Sequence, residues 1–548
     1  MKRTLLLALV LCLLLSFAGC AQTPAETEPP KVMDLSGKYE LDTVRNEAII
    51  TGTGAAQPND GNGLVFYQIF VGSFSDSNGD GVGDLRGIIN RFDYLNDGNP
   101  DSGLSLGVEG IWLSPILFSP SYHKYDVNDY YAVDPKFGTE EDLKELISLC
   151  HDRGVKLIMD FVINHTSPNH QWFREFKSAH NSGDTANPYY DYYTWSETPI
   201  SGRTFYKIGN SGHYYEGNFS SGMPELNYDN ENVRREMVAV AKHYLDMGLD
   251  GFRFDAAKYI YYGEESRSAD FWVWYMNELR AIKPDIYTVA EVWSGDASTY
   301  PYFKSTNCFN FSMSQSEGHV ASSARTGNIK GFVNYIDQYL DSIKAQNPDA
   351  MLCTFIANHD TDRAAGFLTV DMGHAHMGAN LSILTPGSPF IYYGEEIGAR
   401  GSRGSNNTDA NRRLAMQWGD GDTVKDPTGA NYTAGQTNGT VLDQQPNGDS
   451  LYNHYKKLIM IRKAHPEIAY GDFTPVVIEG TRTAGFISTY NGSTVVVFHN
   501  ATHEDVVIDL STLPDVNVTI LSAFAGRNNA TLEGTTLTIG AQTSVVLK

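Results

Sequence analysis

A (β/α)8 TIM barrel with a domain inserted after its third strand, followed by a C-terminal antiparallel β-sandwich, is the fold this sequence predicts. Three observations lead there. Between about residues 64 and 460, eight short runs of β-branched and aromatic residues alternate with helical patterns. One connection, from His165 to Asn230, is far too long for a turn. From Phe473 onward the helical patterns stop and short strands follow one another to the end.

The elements follow in order. Residues 1–20 begin with Lys2 and Arg3, continue with an apolar run from Leu5 to Leu15, and end in the small-residue stretch Ala18-Gly19-Cys20. That run is too short for a comfortable membrane span, so it reads as an export signal. Its end resembles a lipoprotein signal, in which Cys20 is acylated and anchors a secreted, cell-surface protein. Phe17 stands where Leu is usual, which keeps plain secretion as the alternative. Residues 21–60 start with a Pro/Glu/Thr-rich stretch and read as a tether. The barrel is assigned to 61–165 and 231–465, the inserted domain to 166–230 and the sandwich to 466–548. Barrel strands are predicted over 65–71, 110–113, 156–163, 251–254, 287–292, 309–312, 352–356 and 389–393, and helices over 139–153, 231–247 and 269–282. The insertion carries many Tyr, Asn, Gly and Ser but shows little helical period. Terminal strands are predicted over 476–479, 483–490, 494–499, 504–509, 516–522, 535–539 and 544–547, with Asn491-Gly492 as a hairpin turn.

Composition narrows the partners. A formal charge of −24 repels nucleic acid and anionic lipid, leaving the N-terminal anchor as the only membrane contact. Aromatic residues make up 12% of the chain, which serves either a large core or ring platforms for a sugar face. Cys150, Cys308 and Cys353 are too scattered for a disulfide framework or a metal knuckle and are expected to be buried. The chain is expected to act as a monomer.

Chemistry concentrates at four strand ends. The third ends Asp160-Phe161-Val162-Ile163-Asn164-His165, the fourth ends Arg253-Phe254-Asp255, the fifth ends in Glu291 and the seventh ends Asn358-His359-Asp360. In a barrel of this kind such ends share one face. Three carboxylates with two His and one Arg there are costly to assemble without a task. Glycoside hydrolysis needs one carboxylic acid to protonate the leaving oxygen and one carboxylate to attack carbon or activate water. Arg253 lies two residues before Asp255, so both side chains point to the same side of a strand, and the guanidinium would keep Asp255 ionised. Val289, Ala290, Val292 and Trp293 give Glu291 an apolar setting that would keep it protonated. The bland alternative is a barrel salt bridge between Arg253 and Asp255.

These four strand ends resemble the four signature regions of the α-amylase family, glycoside hydrolase family 13. The resemblance implies Asp255 as nucleophile, Glu291 as general acid/base and Asp360 as the third carboxylate, gripping sugar hydroxyls. It also implies a sugar held by His165, Arg253 and His359, with Tyr125 stacked on it. Tyr122-His123-Lys124-Tyr125-Asp126 is similar to the family segment after the second strand, where Gly is more usual than Lys124. Met223-Pro224-Glu225-Leu226-Asn227 is similar to its fifth region, and Arg413 to an Arg reaching the nonreducing-side sugar.

Asp76-Ser77-Asn78-Gly79-Asp80-Gly81-Val82-Gly83-Asp84 alternates oxygen side chains with glycines, as a hard cation requires. Gly87 at the twelfth position excludes an EF-hand. The family resemblance makes it a Ca2+ loop, with Asp76, Asn78, Asp80, the Val82 carbonyl and Asp84 as ligands; an acidic Asn/Gly turn is the alternative. A second calcium site of the family would use Asn164, but Tyr259 stands where its usual His is found. Lys258, with Ala256-Ala257 before it, resembles the α-amylase pattern and implies a substrate contact at Lys258. The expectation is retaining endo-hydrolysis of α-1,4 bonds in starch, glycogen and maltooligosaccharides. The alternatives are an α-glucosidase or oligo-1,6-glucosidase, a 4-α-glucanotransferase, and a non-catalytic glycan-binding surface protein.

Overall fold

The structure, a computed structural model, describes residues 62–99, 102–369, 371–404, 408–513 and 515–548. The expected export signal over 1–20, with Cys20, and the tether over 21–60 lie outside the described residues. Eight parallel strands build the central sheet: β1 (Phe66–Ile69), β2 (Gly110–Leu113), β3 (Lys156–Phe161), β4 (Gly251–Phe254), β5 (Tyr287–Ala290), β6 (Asn307–Cys308), β7 (Cys353–Phe355) and β8 (Ser388–Tyr392). The strands run side by side in chain order from β1 to β6, while β8 joins β1 to β7. A parallel bridge between Phe309 and Cys353 closes the ring, backed by the Asn310 amide donating to the Cys353 carbonyl at 3.0 Å. The (β/α)8 barrel is thus realised.

Its interior is filled by large side chains rather than left as a pore. Phe66, Trp112, Ile158, Val289, Phe309 and Phe390 belong to one buried cluster. Phe66 stacks on Phe390 with ring centres 4.8 Å apart, and Trp112 lies 5.3 Å from Phe309. The helices follow their capping and periodicity signals. Helix α1 (Glu140–Asp152) starts with Thr139 and Asp142 in a capping box and buries Leu143, Leu146, Ile147 and Cys150 along one stripe.

Two expectations fail here. The sixth strand does not span 309–312. It occupies Asn307–Cys308, and Phe311–Met313 forms a 3-10 turn because the Asn310 side chain accepts from the Met313 amide and curls the chain. Phe309 still bridges to Cys353, but Phe311 lies in the turn, and both rings are apolar because they plug the barrel interior. The insertion also contains a helix, α2 (Gln171–Ser182), which buries Trp172, Phe173, Phe176, Ala179 and His180. That is a helical stripe, carried by aromatic residues that mimic strand composition. A three-stranded sheet of Trp195–Ser196, Phe205–Lys207 and Tyr214–Glu216 completes the insertion. The bridge between His165 and Glu225 draws its two ends together.

Helix α3 (Glu231–Asp246), capped by Asn230, returns the chain to the barrel, and α4 (Glu265–Ile282) follows β4. After β7, helix α5 (Met372–Ile383) is buried along nearly its whole length. Helix α6 (Leu451–Ala464) precedes the terminal strands. These are β9 (Asp472–Val477), β10 (Ala484–Tyr490), β11 (Ser493–Asn500), β12 (Val506–Asp509), β13 (Leu521–Gly526), β14 (Ala530–Glu533), β15 (Thr536–Ile539) and β16 (Thr543–Leu547). They form antiparallel sheets of five and three strands around Phe498, Ile508, Leu537, Ile539 and Val545. Strand β14 was not expected, and the strand predicted over 516–522 begins only at Leu521. The three cysteines of the described residues are free and buried.

Candidate active site

The alternation of strand side chains assembles the site. Phe66, Ile158, Tyr287 and Val289 face the barrel interior. Two residues further along their strands come Gln68, Asp160 and Glu291, which keep the same parity and emerge above the aromatic plug. In β4, Arg253 takes the inward position, and register pairs it directly with Asp160 of β3. Its guanidinium lies over the Trp112 ring, 5.2 Å from the ring centre.

Arg253 is fully buried and ties the carboxylates together. Its Nη1 donates to Asp255 Oδ1 and to Asp160 Oδ1, both at 2.7 Å, and its Nη2 lies 3.2 Å from Glu291 Oε2. The Tyr125 hydroxyl donates to Asp160 Oδ2 at 2.9 Å. Tyr125 is stacked on His359 with ring centres 5.3 Å apart, and its hydroxyl lies 2.5 Å from His359 Nε2. On the other ring nitrogen, Nδ1, His359 meets Gln68 Nε2 at 2.7 Å. Arg413 reaches in from beyond β8. It donates to the His359 carbonyl at 3.0 Å, to Tyr122 Oη at 3.1 Å and to Asp360 Oδ1 at 2.8 Å.

The carboxylates are driven apart by their partners. Burial pushes Glu291 upward, and the like charges of Asp255 and Asp360 add to it; Arg253 and the Ala256 amide, which donates to Glu291 Oε2 at 2.9 Å, oppose it. Burial also raises Asp255 despite Arg253, so the guanidinium tempers this group but does not hold it below its ordinary value. The expectation that Arg253 would keep Asp255 ionised thus meets an opposing effect of burial that outweighs it. For Asp360, burial works upward too, but His359, Arg413 and Arg253 outweigh it and hold the carboxyl well below the usual range. Burial lowers His165 to about 4, so its imidazole is neutral at pH 7.

Asp255, Glu291, Asp360, Tyr125, Arg253, His359 and Arg413 thus form one connected cluster. His165 borders it, with Nε2 3.2 Å from the Tyr125 carbonyl and its ring against Phe219. Lys258 stands apart, its ammonium donating to the Trp293 carbonyl at 2.5 Å. Trp293 itself is 39% exposed and lies flat on Phe311, and Phe219 is 45% exposed. Beside Tyr122 opens a cavity of about 600 Å³ lined by Phe70, Val82, Phe118, His123 and Phe137. Lys124 has φ +66, a backbone angle that explains why glycine suits this position. Its ammonium is nonetheless buried against Asp134 at 2.6 Å.

Sequence reasoning passed over Asp160, Gln68 and Tyr122 as site residues. Asp160 sits inside a recognised motif, but only the register of β3 on β4 shows that it faces Arg253.

The loop from Asp76 to Asp84 does not join this cluster. Asp76 accepts from the amides of Asn78, Gly79 and Gly81, Asn78 from that of Asp80, and Asp80 from that of Val82. Gly79 and Gly81, with φ +84 and +91, allow the chain to curl through these turns. Burial would raise Asp76, but the Thr423 hydroxyl and these amides outweigh it and lower its pKa. Asp84 accepts from the Gly87 amide at 2.6 Å and from the Ser77 hydroxyl at 2.9 Å. Its carboxylate, with those of Asp76 and Asp80, does not form a set whose ligand atoms all lie within 4.8 Å.

Comparison with known proteins places this geometry. The profile of the alpha amylase catalytic domain matches residues 68–471. The chain is 36% identical to alpha-amylase 3 of Dictyoglomus thermophilum, over 80% of this chain and 84% of that protein. It is 31% identical to the oligo-1,6-glucosidase of Parageobacillus thermoglucosidasius (77% and 88% covered) and 33% identical to the 4-alpha-glucanotransferase of Thermotoga maritima (63% and 74% covered). Among solved structures, Eubacterium rectale Amy13B superposes with a TM-score of 0.83 at 32% identity, covering 93% of this chain and 98% of that one.

Proposed function

The chain belongs to the α-amylase family, and from that premise we propose that it cleaves internal α-1,4 bonds of starch-like glucans with retention of configuration. The observation that carries this reading is the buried Arg253 bound to Asp255 and close to Glu291, with Asp360 held by Arg413 and His359. Asp255 is the nucleophile that attacks the anomeric carbon. Glu291, whose pKa burial raises, gives its proton to the departing glycosidic oxygen and then takes one from the incoming water. Asp360, the least buried of the three with its side chain 28% exposed, is held ionised and accepts sugar hydroxyls. The neutral His165 and the buried Tyr125 shape the same subsite. The exposed rings of Trp293 and Phe219 suit the apolar faces of successive glucose units, which supports an oligosaccharide over a small glycoside.

The loop residues Asp76, Asn78, Asp80, Asp84 and the Val82 carbonyl would hold a calcium ion. The donor chemistry suits a hard cation, all oxygens and three of them carboxylates on a loop curled by two glycines, although the carboxylates of Asp76, Asp80 and Asp84 would have to draw closer together to share one ion. The ion would supply positive charge among these carboxylates. Thr423 and Asp422 already pin the loop from a distant segment, through Asp76 and Ser75. Chelation is expected to lower the unfolding temperature of the wild type, and to leave that of Asp80→Ala unchanged. This reading also includes export with acylation at Cys20, read from residues 1–20 alone, so Cys20→Ser should move the protein from membranes to the soluble fraction. The reading also takes the chain to act as a monomer.

The test is the product pattern from soluble starch and maltoheptaose, with the anomeric configuration followed by NMR. Short α-configured maltooligosaccharides from wild type, absent with Asp255→Asn and Glu291→Gln, are expected. Glucose alone would assign an exo-acting glucosidase, and chains longer than the substrate a glucanotransferase. Intact binding without products would sink the enzymatic reading.

A further inference from the structure

Away from the carboxylate cluster, Asp371, His374 and His503 bring their ligand atoms within 4.8 Å of one another, the only such set among the described residues. Asp371 and His374 stand at the start of α5, on the barrel, and His503 in the turn between β11 and β12 of the sandwich. Asp371 Oδ2 lies 3.8 Å from His374 Nε2 and 3.8 Å from His503 Nδ1. We propose that these three side chains form a binding site for a single divalent transition ion of the zinc class, clasping the barrel to the C-terminal sandwich.

The spacing suits one centre. Two ligands at about 2.1 Å from the same zinc ion stand at most about 4.2 Å apart. At 3.8 Å the two pairs that share Asp371 are too far apart for direct hydrogen bonds but within that limit, and the two imidazoles lie within 4.8 Å of each other, so a small approach of His503 brings all three to one ion. His374 Nε2 is buried and has no hydrogen-bond partner among the described residues, an unusual state for an imidazole nitrogen aimed at a carboxylate. Two imidazoles select zinc, copper or nickel rather than calcium.

The surroundings hold Asp371 in place. Its Oδ1 accepts from the Gly373 amide at 2.8 Å, capping α5, and its Oδ2 accepts from Gln542 Nε2 at 3.0 Å. Gln542 has φ +52, and a Cβ on residue 373 would strike its amide at 1.7 Å, so Gly373 makes room for this second contact. A cation at a helix start meets the positive end of the backbone dipole, which the capping carboxylate offsets. The side chains of His374, Asp371 and His503 are 16%, 36% and 66% exposed, so the site opens to solvent and leaves room for a water as fourth ligand. A simple capping Asp with an (i, i+3) His explains Asp371 and His374 but not the convergence of His503 from another domain.

The experiment is titration of the chelator-treated full chain with Zn2+ and Co2+ in saturating calcium. One zinc per chain, a tetrahedral cobalt spectrum and a zinc-dependent rise in unfolding temperature are expected. His503→Ala, at an exposed position, should weaken binding at least about 10-fold, and Gln542→Ala by about 10–100-fold. Asp371→Asn keeps the cap and should still weaken binding. No stoichiometric zinc in wild type, or zinc bound by His503→Ala and His374→Ala as tightly as by wild type, would overturn the site.

Discussion

Arg253 Nη1 is shared between Asp160 and Asp255 at 2.7 Å each, so what holds Asp160 also aims the nucleophile. Burial pushes Asp160 up to about 7, working against Arg253 and the Tyr125 hydroxyl. Replacing it by Ala removes an acceptor from both partners at once. Breaking a buried pair in this way costs about 3–5 kcal/mol. Asp160→Asn keeps one oxygen for Arg253 and turns its amide nitrogen toward Tyr125, whose hydroxyl can accept from it, so it is expected to lose less than half of that in urea unfolding. Asp160 touches no sugar in the proposed reading, so Asp160→Asn should lower kcat while leaving KM nearly unchanged. Equal stability of the two variants would show that Asp160 is a mere filler. At this scale the sequence was informative wherever a strand end concentrated polar groups, as at Arg253, Asp255, Glu291, His359 and Asp360. Asp160 was legible only as part of its motif. Its role comes from the neighbouring strand, and a single sequence carries no register.

At the scale of elements, the turn after β8 holds two buried carboxylates that the proposed chemistry does not use. Glu395 accepts from Tyr455 of α6 at 2.9 Å, and Glu396 accepts from Tyr67 of β1 at 2.7 Å and from Tyr94. These bonds lock β1, β8 and α6 together behind the site. Burial, reinforced by Glu396, pushes Glu395 up to about 8 against the Tyr455 hydrogen bond. An unfolded Glu titrates near about 4.3. The folded chain therefore favours the protonated acid. This contribution to stability is complete below about pH 4 and is lost as pH rises through about 8. Unfolding temperature is expected to fall between pH 5 and 9, and Glu395→Gln, which cannot ionise, should flatten that slope. Parallel slopes for the two proteins would refute the assignment. Elements whose partners lie in one direction, such as α1 with its capping box and single stripe, were readable from the sequence. The sixth strand and α2 were not, because Phe309, Phe311, Trp172 and Phe173 are aromatic for packing reasons, and aromatics in short runs look alike in strand and helix.

At the scale of the molecule, α5 explains why barrel and sandwich are expected to unfold together. Its sequence, with Ala375, Met377, Leu381 and Ile383 interspersed by buried His376 and Asn380, has no apolar stripe, because both sides are covered. That all-round burial is also why no helix was predicted there. Asn380 sits at the seam. Its Nδ2 donates to the Ala525 carbonyl of β13 at 2.9 Å and to Ser544 Oγ of β16 at 2.8 Å, and its Oδ1 lies 2.7 Å from His454 Nε2 of α6. Asn380→Ala removes three buried hydrogen bonds; Ser544 Oγ keeps His499 Nδ1 at 2.7 Å and His454 Nε2 keeps the His376 carbonyl at 3.2 Å, so the cost is that of lost bonds, about 0.5–1.5 kcal/mol each. Its Cβ remains, so the cavity term is small beside the polar one. The variant is therefore expected to unfold at lower temperature than the wild type, still in a single calorimetric transition. A chain ending at residue 471 retains every residue of the proposed active site but bares the side of α5 that faces β13 and β16, where Asn380 loses the Ala525 carbonyl and Ser544 Oγ. It should aggregate or unfold well below the full chain, despite an unaltered set of carboxylates. A soluble fragment with wild-type turnover on maltoheptaose would mean that the sandwich is an appendage and that the seam at Asn380 contributes nothing to the barrel.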